Sequence, residues 1–215
     1  MTYTLVIGNK ALSSWSLRPW MVMKAFDIPF EEVKVRFRQP DTRQQILAHS
    51  PTGLVPTLKD GDQNIWDSLA IAEYLAEQHP EKSLWPADRL ARAHARVITA
   101  EMHSGFSNLR TMWPMDAITM HAGLLVPQAV QNDLDRIFAL WSDTLSRFGG
   151  KGPYLFGEFS IADAFYAPVM LRIRPFGPVS MPTDIEAYYQ AVLDHPAIDE
   201  WCQGAQEEVE AGWYA

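Results

Sequence analysis

Apolar and polar positions follow one rhythm over the first eighty residues and another over the rest. Residues 4–7, Thr-Leu-Val-Ile, form a β-branched run closed by Gly8-Asn9, which predicts a strand and a turn. Ser16 stands where it can cap a helix reaching about Phe26, with Pro19 in its first turn. Pro29 interrupts, and residues 31–37 alternate as a second strand. Asp41-x-x-Gln44 has the spacing of a capping box for a short helix that stops before Ser50-Pro51. Residues 55–59, the turn Asp60-Gly61 and residues 64–66 predict a hairpin. Behind Asp67-Ser68, the side chains Leu69, Ile71, Ala72 and Leu75 recur at helical spacing as far as His79-Pro80. The order β-α-β-α-β-β-α describes a compact α/β unit with parallel and antiparallel pairing.

From Pro86 onward no strand pattern stands out. Helices are expected over residues 87–112, 127–148, 161–172, 184–193 and 197–209. Pro127 and Pro196 suit first-turn positions, and Ser160-x-x-Asp163 and Thr183-x-x-Glu186 have capping-box spacing. Gly149-Gly150-Lys151-Gly152-Pro153 is a break. Residues 77–86, with two prolines, read as a linker between an α/β domain over residues 1–80 and an all-helical domain over residues 87–215.

Composition narrows the function. Hydrophobic residues make up 47% of the 215 and charged residues 20%, which supports a buried core and excludes low-complexity disorder. A net charge of −8 with no Lys/Arg block argues against a nucleic-acid partner. A lone cysteine, Cys202, closes no intrachain disulfide and points to a reducing compartment. The N-terminal apolar run is too short for a signal peptide or a membrane span, so a cytoplasmic protein with no membrane partner is expected.

Several chemistries drop out. The chain has no phosphate-loop, dinucleotide or nucleophile-elbow motif, and its six histidines show no pair at metal-ligand spacing, so no metal is expected. Three local features remain. Ser13-Ser14-Trp15-Ser16 lies between the first strand and first helix, Val55-Pro56 precedes the third strand, and Asp67-Ser68 opens the third helix. Each alone reads as a turn or a cap. In a thioredoxin-like unit the three converge at one edge, and Ser13-x-x-Ser16 occupies the place of a redox Cys-x-x-Cys. Serine forms no mixed disulfide, which excludes thiol–disulfide exchange there. A serine hydroxyl at a helix N-terminus can instead donate to the thiolate of a bound ligand and favour its charged form.

Ser13-Ser14-Trp15-Ser16-Leu17-Arg18 resembles the Ser-Ser-Cys-Ser-Trp-Arg run of the glutathione transferases of the serine type, the zeta class among them. The resemblance continues through Val55-Pro56-Thr57-Leu58, through residues 67–75 (Asp-Ser-Leu-Ala-Ile-Ala-Glu-Tyr-Leu), and into Phe159-Ser160-Ile161-Ala162-Asp163. It implies a thioredoxin-like domain followed by a helical bundle. It also implies glutathione as co-substrate, a small electrophile as its partner, and a homodimer. Ser13 would hydrogen-bond the glutathione sulfur, with Ser14 the alternative one residue away, and Trp15 would border the bound tripeptide. Pro56 would be cis, turning Val55 to pair with the cysteinyl backbone; Ser68 would hold the γ-glutamyl carboxylate and Asp67 its ammonium. Trp15 departs from the zeta cysteine, and Gly53-Leu54 replaces longer polar residues ahead of Val-Pro. His103, Phe106, Arg110 and Trp113, at helical spacing, are expected to face the electrophile; the bland reading makes Phe106 and Trp113 core. Arg172 and Arg174 are placed to reach an acidic substrate or to serve as cations near a helix C-terminus. The competing reading is a non-catalytic binding module on the same fold.

Overall fold

The computed structural model describes residues 2–121, 124–176 and 179–213. Its first part runs β1 (Tyr3–Gly8), α1 (Ser14–Ala25), β2 (Phe30–Val35), α2 (Thr42–Leu47), β3 (Thr57–Asp60), β4 (Gln63–Trp66) and α3 (Ser68–Gln78), in the expected order. The strands form one mixed sheet, β2-β1-β3-β4, with β1 parallel to β2 and antiparallel to β3, and β3 antiparallel to β4. Period-two alternation along β1 divides the two faces. Leu5 and Ile7 enter the main core beneath α1 and α3, while Val6 joins Val35 and Ile46 under α2 on the other side.

A short 3₁₀ turn (Pro80–Lys82) leads to α4 (Arg89–Ser104), α5 (Ser107–Met112), α6 (Gln128–Phe148), α7 (Ile161–Phe176), α8 (Thr183–Leu193) and α9 (Pro196–Glu210). Buried on all sides, α7 packs against both α1 and α4, so the main core is continuous from the sheet into the helices. No described helix is long and apolar enough to cross a membrane.

Several local expectations are corrected. The helix expected over residues 87–112 is two helices, because the chain turns at Gly105 and Phe106, the latter left-handed at φ 60°. A Cβ at Gly105 would stand 2.8 Å from the Glu101 carbonyl oxygen, which only glycine avoids. Asp41 precedes α2 without capping it; its carboxylate instead accepts from Gln45 Nε2 at 2.8 Å. Thr183 is the first residue of α8 behind Pro182, so the expected box at Thr183 and Glu186 does not form. Pro127 is the N-cap of α6 rather than its first residue. Helix α7 continues past Arg172 through Pro175 to Phe176. By contrast, Asp163 closes its turn: Oδ2 accepts from the Ser160 N–H at 2.8 Å and the Ser160 hydroxyl at 2.9 Å, and Oδ1 from the Leu155 N–H at 3.1 Å.

Candidate functional site

The loop between β1 and α1 is fixed before it delivers its serines. The N–H groups of Leu12 and Ser13 both donate to the Asn9 carbonyl, at 3.1 and 2.8 Å. From α9, Trp201 Nε1 donates to the Lys10 carbonyl at 2.8 Å, and Glu208 Oε2 accepts the Lys10 N–H at 2.8 Å. The Lys10 ammonium pairs with Glu32 at 3.1 Å and lies over the rings of Trp20 and Trp201. Buried among aromatic faces and one carboxylate, it ties loop, sheet and C-terminal helix together.

Helix α1 begins at Ser14, with Ser13 as an N-cap whose side chain makes no capping bond. The expected cap, Ser16, lies inside the helix, as does Pro19. The Ser16 hydroxyl oxygen accepts from the Gly8 N–H at 3.2 Å and from the Ser13 hydroxyl at 2.7 Å. Ser14 Oγ accepts from Arg172 Nη2 at 3.0 Å. The two adjacent serines, both buried, therefore have different partners.

The other two motifs meet in a cleft beside them. The Val55–Pro56 peptide is cis. Asp67, left-handed at φ 68°, caps α3 by accepting the Leu69 N–H on Oδ1 at 2.8 Å. The next residue, Ser68, is buried, and its hydroxyl has no hydrogen-bond partner among the described residues. Trp15, Thr52, Leu54, Val55, Pro56, Trp66, Asp67 and Ser68 line a cavity of about 370 Å³. An orphaned hydroxyl at the N-terminus of an 11-residue helix suits an anionic group of a ligand.

Behind Trp15 the site is strongly cationic. The Arg18 guanidinium is fully buried, none of its nitrogens has a hydrogen-bond partner among the described residues, and it lies 4.2 Å from the Trp15 ring centroid and 5.0 Å from that of Phe165. Arg110 lies 5.1 Å from the Trp15 ring and donates to the Gly105 carbonyl at 2.8 Å and to the Met102 carbonyl. Burial, with Arg110 and Arg172 adding to it, holds the Arg18 cation well below the usual arginine range. Burial and then Arg110 lower Arg172 to about 10. His103 meets Trp15 edge-on with ring centroids 5.2 Å apart, and its Nε2 lies 3.2 Å from Asp67 Oδ2.

The structure thus gathers Trp15, Val55, Pro56, Asp67 and Ser68 around one cavity and sets Ser13 and Ser14 at the helix end beside it. Of the residues expected to face an electrophile, His103 and Arg110 abut Trp15. Phe106 and Trp113 are buried in the core, Trp113 stacked on Phe176 with centroids 5.0 Å apart. The break at Gly105 removes the helical spacing on which those four were grouped. Arg174 donates to the Ala117 carbonyl at 2.7 Å, away from the cavity lining. Sequence reasoning missed Thr52, Leu54 and Trp66 as lining residues, and missed Arg18. The signals for Arg18 were its match to the arginine of the family run and its place in an otherwise apolar helix face. Among the described residues no cluster of three or more His, Cys, Asp or Glu is disposed to hold a metal ion.

Residues 12–78 match the family model of the glutathione S-transferase N-terminal domain. A probable maleylacetoacetate isomerase of Caenorhabditis elegans is 34% identical over 165 residues, covering 76% of this chain and 75% of that protein. Glutathione S-transferase GstB of Escherichia coli (strain K12) is 26% identical over 188 residues, covering 83% of this chain and 88% of that protein. Among solved structures, a glutathione transferase homolog from Burkholderia with bound glutathione superposes with a TM-score of 0.72 at 24% identity, covering 96% of this chain and 99% of that one. The omega 3C glutathione transferase of Trametes versicolor superposes with a TM-score of 0.70 at 20% identity, covering 94% and 89%.

Proposed function

The chain belongs to the glutathione S-transferase family, and on that premise we propose that it activates the thiol of bound glutathione for addition to a small electrophile. One observation carries the reading: Trp15, Val55, Pro56, Asp67 and Ser68 line a single cavity, into whose lining an orphaned serine hydroxyl is built. Its volume, about 370 Å³, lies in the range of small-ligand sites.

The roles follow from chemistry. Ser68, at the start of α3, takes the γ-glutamyl carboxylate on its hydroxyl and helix N-terminus, and Asp67 takes the ammonium. Val55 pairs with the cysteinyl backbone as an added strand would. The sulfur then lies at the N-terminus of α1, whose lack of a side-chain cap leaves its dipole available to a thiolate. The S–H bond breaks, the proton passes to water, and the sulfur keeps the pair with a serine hydroxyl donating to it. The thiolate forms a C–S bond with the electrophile; loss of a leaving group completes conjugation. Where a double bond was attacked, expulsion of the sulfur after rotation gives the isomer. Rate enhancement comes from pKa lowering and positioning, with no covalent bond to the protein. A relative named a probable maleylacetoacetate isomerase favours including isomerisation in the reading.

We further infer a homodimer, supported by exposed apolar side chains on β4 and α4, namely Trp66, Leu90 and Val97. Light scattering at micromolar concentration is expected to return twice the chain mass, and a monomer contradicts it. A reducing, cytoplasmic location accords with the single free cysteine. Retention on immobilised glutathione, followed by conjugation of a chromogenic aryl halide, tests the activity. A chain that binds without turnover is the non-catalytic module, and one that does neither refutes the reading.

A further inference from the structure

We propose that Arg172 is a positioning residue for the thiol-activating serine, and that it makes Ser14 rather than Ser13 the donor to the glutathione sulfur; the proposal rests on the glutathione reading above. The two serines are the same chemically and adjacent in sequence, but the fold commits them differently. A hydroxyl has one proton to give. Ser13 gives its proton to Ser16 Oγ at 2.7 Å, and that oxygen also takes the Gly8 N–H. Turning Ser13 toward a sulfur would break this buried contact. Ser14 accepts from Arg172 Nη2 at 3.0 Å, and among the described residues its own proton has no acceptor. A guanidinium donating into a hydroxyl oxygen polarises the O–H bond and strengthens what that proton does next.

Arg172 is itself held. It is buried, and Nη1 donates to the carbonyls of Arg110 at 3.2 Å and Trp113 at 2.7 Å, so the direction of its bond to Ser14 is set by backbone. It reaches α1 from α7, across 158 positions of sequence. The titratable and charged groups at this end of α1 come from the elements around it: Arg18 on α1, a neutral His103 on α4, Arg110 on α5, Asp133 on α6, Arg172 on α7 and Asp67 ahead of α3. Both carboxylates among them are already engaged: Asp67, half exposed, is shared between the Leu69 N–H and His103, and Asp133 faces Arg110 while accepting the Leu109 N–H at 2.9 Å. Buried cations without matching anions are costly, and an arriving thiolate offsets that cost. Hydrogen bond and field therefore both favour the thiolate beside Ser14, while Ser14 stays neutral and the thiol proton leaves to water.

The test is a pH titration of the ultraviolet thiolate absorbance of bound glutathione, with thermal melting by circular dichroism as the check on folding. Ser14→Ala and Arg172→Gln are each expected to raise the bound thiol's pKa by about one unit. The double variant should move it no further than the larger single one. Arg172→Lys shifts it in the same direction by less, and Ser13→Ala leaves it in place. The KM for glutathione stays near the parent value throughout, whereas a merely structural role for Arg172 would alter melting and KM and leave the thiol pKa alone. A shift confined to Ser13→Ala overturns the proposal, as does a folded Arg172→Gln with the parent's pKa. Should Arg172→Gln not fold, Arg172→Lys decides in its place, and a parental pKa overturns the proposal. A parent protein giving no thiolate signal with glutathione refutes the underlying reading; a parent that gives one isolates the failure to Arg172 and Ser14.

Discussion

Asp67 and His103 meet across the boundary between the sheet and the helices, Oδ2 to Nε2 at 3.2 Å, while Asp67 Oδ1 holds the Leu69 N–H at 2.8 Å. Burial lowers the His103 pKa; Arg18 and Arg110 push the same way, and Asp67 opposes them. His103 is therefore neutral at neutral pH and donates from Nε2, which leaves Nδ1 as a buried acceptor with no partner among the described residues. One carboxylate thus caps α3, anchors α4 and borders the cavity lined by Trp15 and Ser68.

Asp67→Asn removes the charge proposed to meet the γ-glutamyl ammonium but keeps an oxygen for the cap. The expected outcome is a KM for glutathione raised about tenfold with kcat little changed, the mark of lost ground-state binding. Steady-state kinetics with glutathione varied will check it. A fall in kcat at unchanged KM would place Asp67 in the chemical step instead.

Ser16→Ala should separate stability from catalysis. The buried Gly8 N–H and the Ser13 hydroxyl both lose their acceptor, at a cost of about 1–3 kcal/mol. Urea denaturation should show that loss, while kcat/KM of the folded variant stays at the parent value. An equal loss of activity would mean that the Ser13–Ser16 contact belongs to the catalytic machinery.

His195 caps α9 by accepting the Ala197 N–H on Nδ1 at 3.1 Å, and burial lowers its pKa. The unfolded chain takes up this proton near pH ~6.5 and the folded chain resists it. The stabilisation from neutral His195 is thus fully present above that pH and is lost as pH falls through the lower folded value. His195→Asn supplies a cap that does not titrate. Its stability should decline less steeply with acid, by up to about 1.4 kcal/mol per pH unit, in denaturant melts over that window. An unchanged slope would assign the acid sensitivity elsewhere, His94 being another half-buried histidine with a lowered pKa.

Asp163→Ala strips the acceptor from the Leu155 N–H, the Ser160 N–H and the Ser160 hydroxyl in a fully buried turn. A loss of about 3 kcal/mol or more is expected in urea unfolding, with Asp163→Asn between it and the parent. Equal stability of all three would show that the turn before α7 is held by packing alone.

The strand-bearing part was legible because its signals are local. Gly8-Asn9, Pro29 and Asp60-Gly61 stand at element ends, and Leu5 and Ile7 face one side while Val6 faces the other. The break between α4 and α5 was not, because it depends on a left-handed Phe106, a conformation that residue type does not announce. Helix α7 runs through Pro168 and Pro175 because it is buried on every side, a tertiary gain that overrides local propensity. At the site, Trp15, Val55, Pro56, Asp67 and Ser68 could be found from their turn and cap positions and from resemblance, whereas Thr52, Leu54 and Trp66 carried no such signal. What distinguishes Ser14 from Ser13 could not, since Arg172 lies 158 residues from its partner. The burial of Arg18 was equally hidden, because a charged residue in a helix normally signals an exposed face.

Activation of a bound thiol is read from the ultraviolet absorbance of the glutathione thiolate, titrated on the unmodified protein. A saturable thiolate signal at neutral pH is expected, with an apparent pKa at least about one unit below the ~8.5 of an unperturbed thiol. Saturable binding with a thiol that titrates as it does free in solution would contradict it.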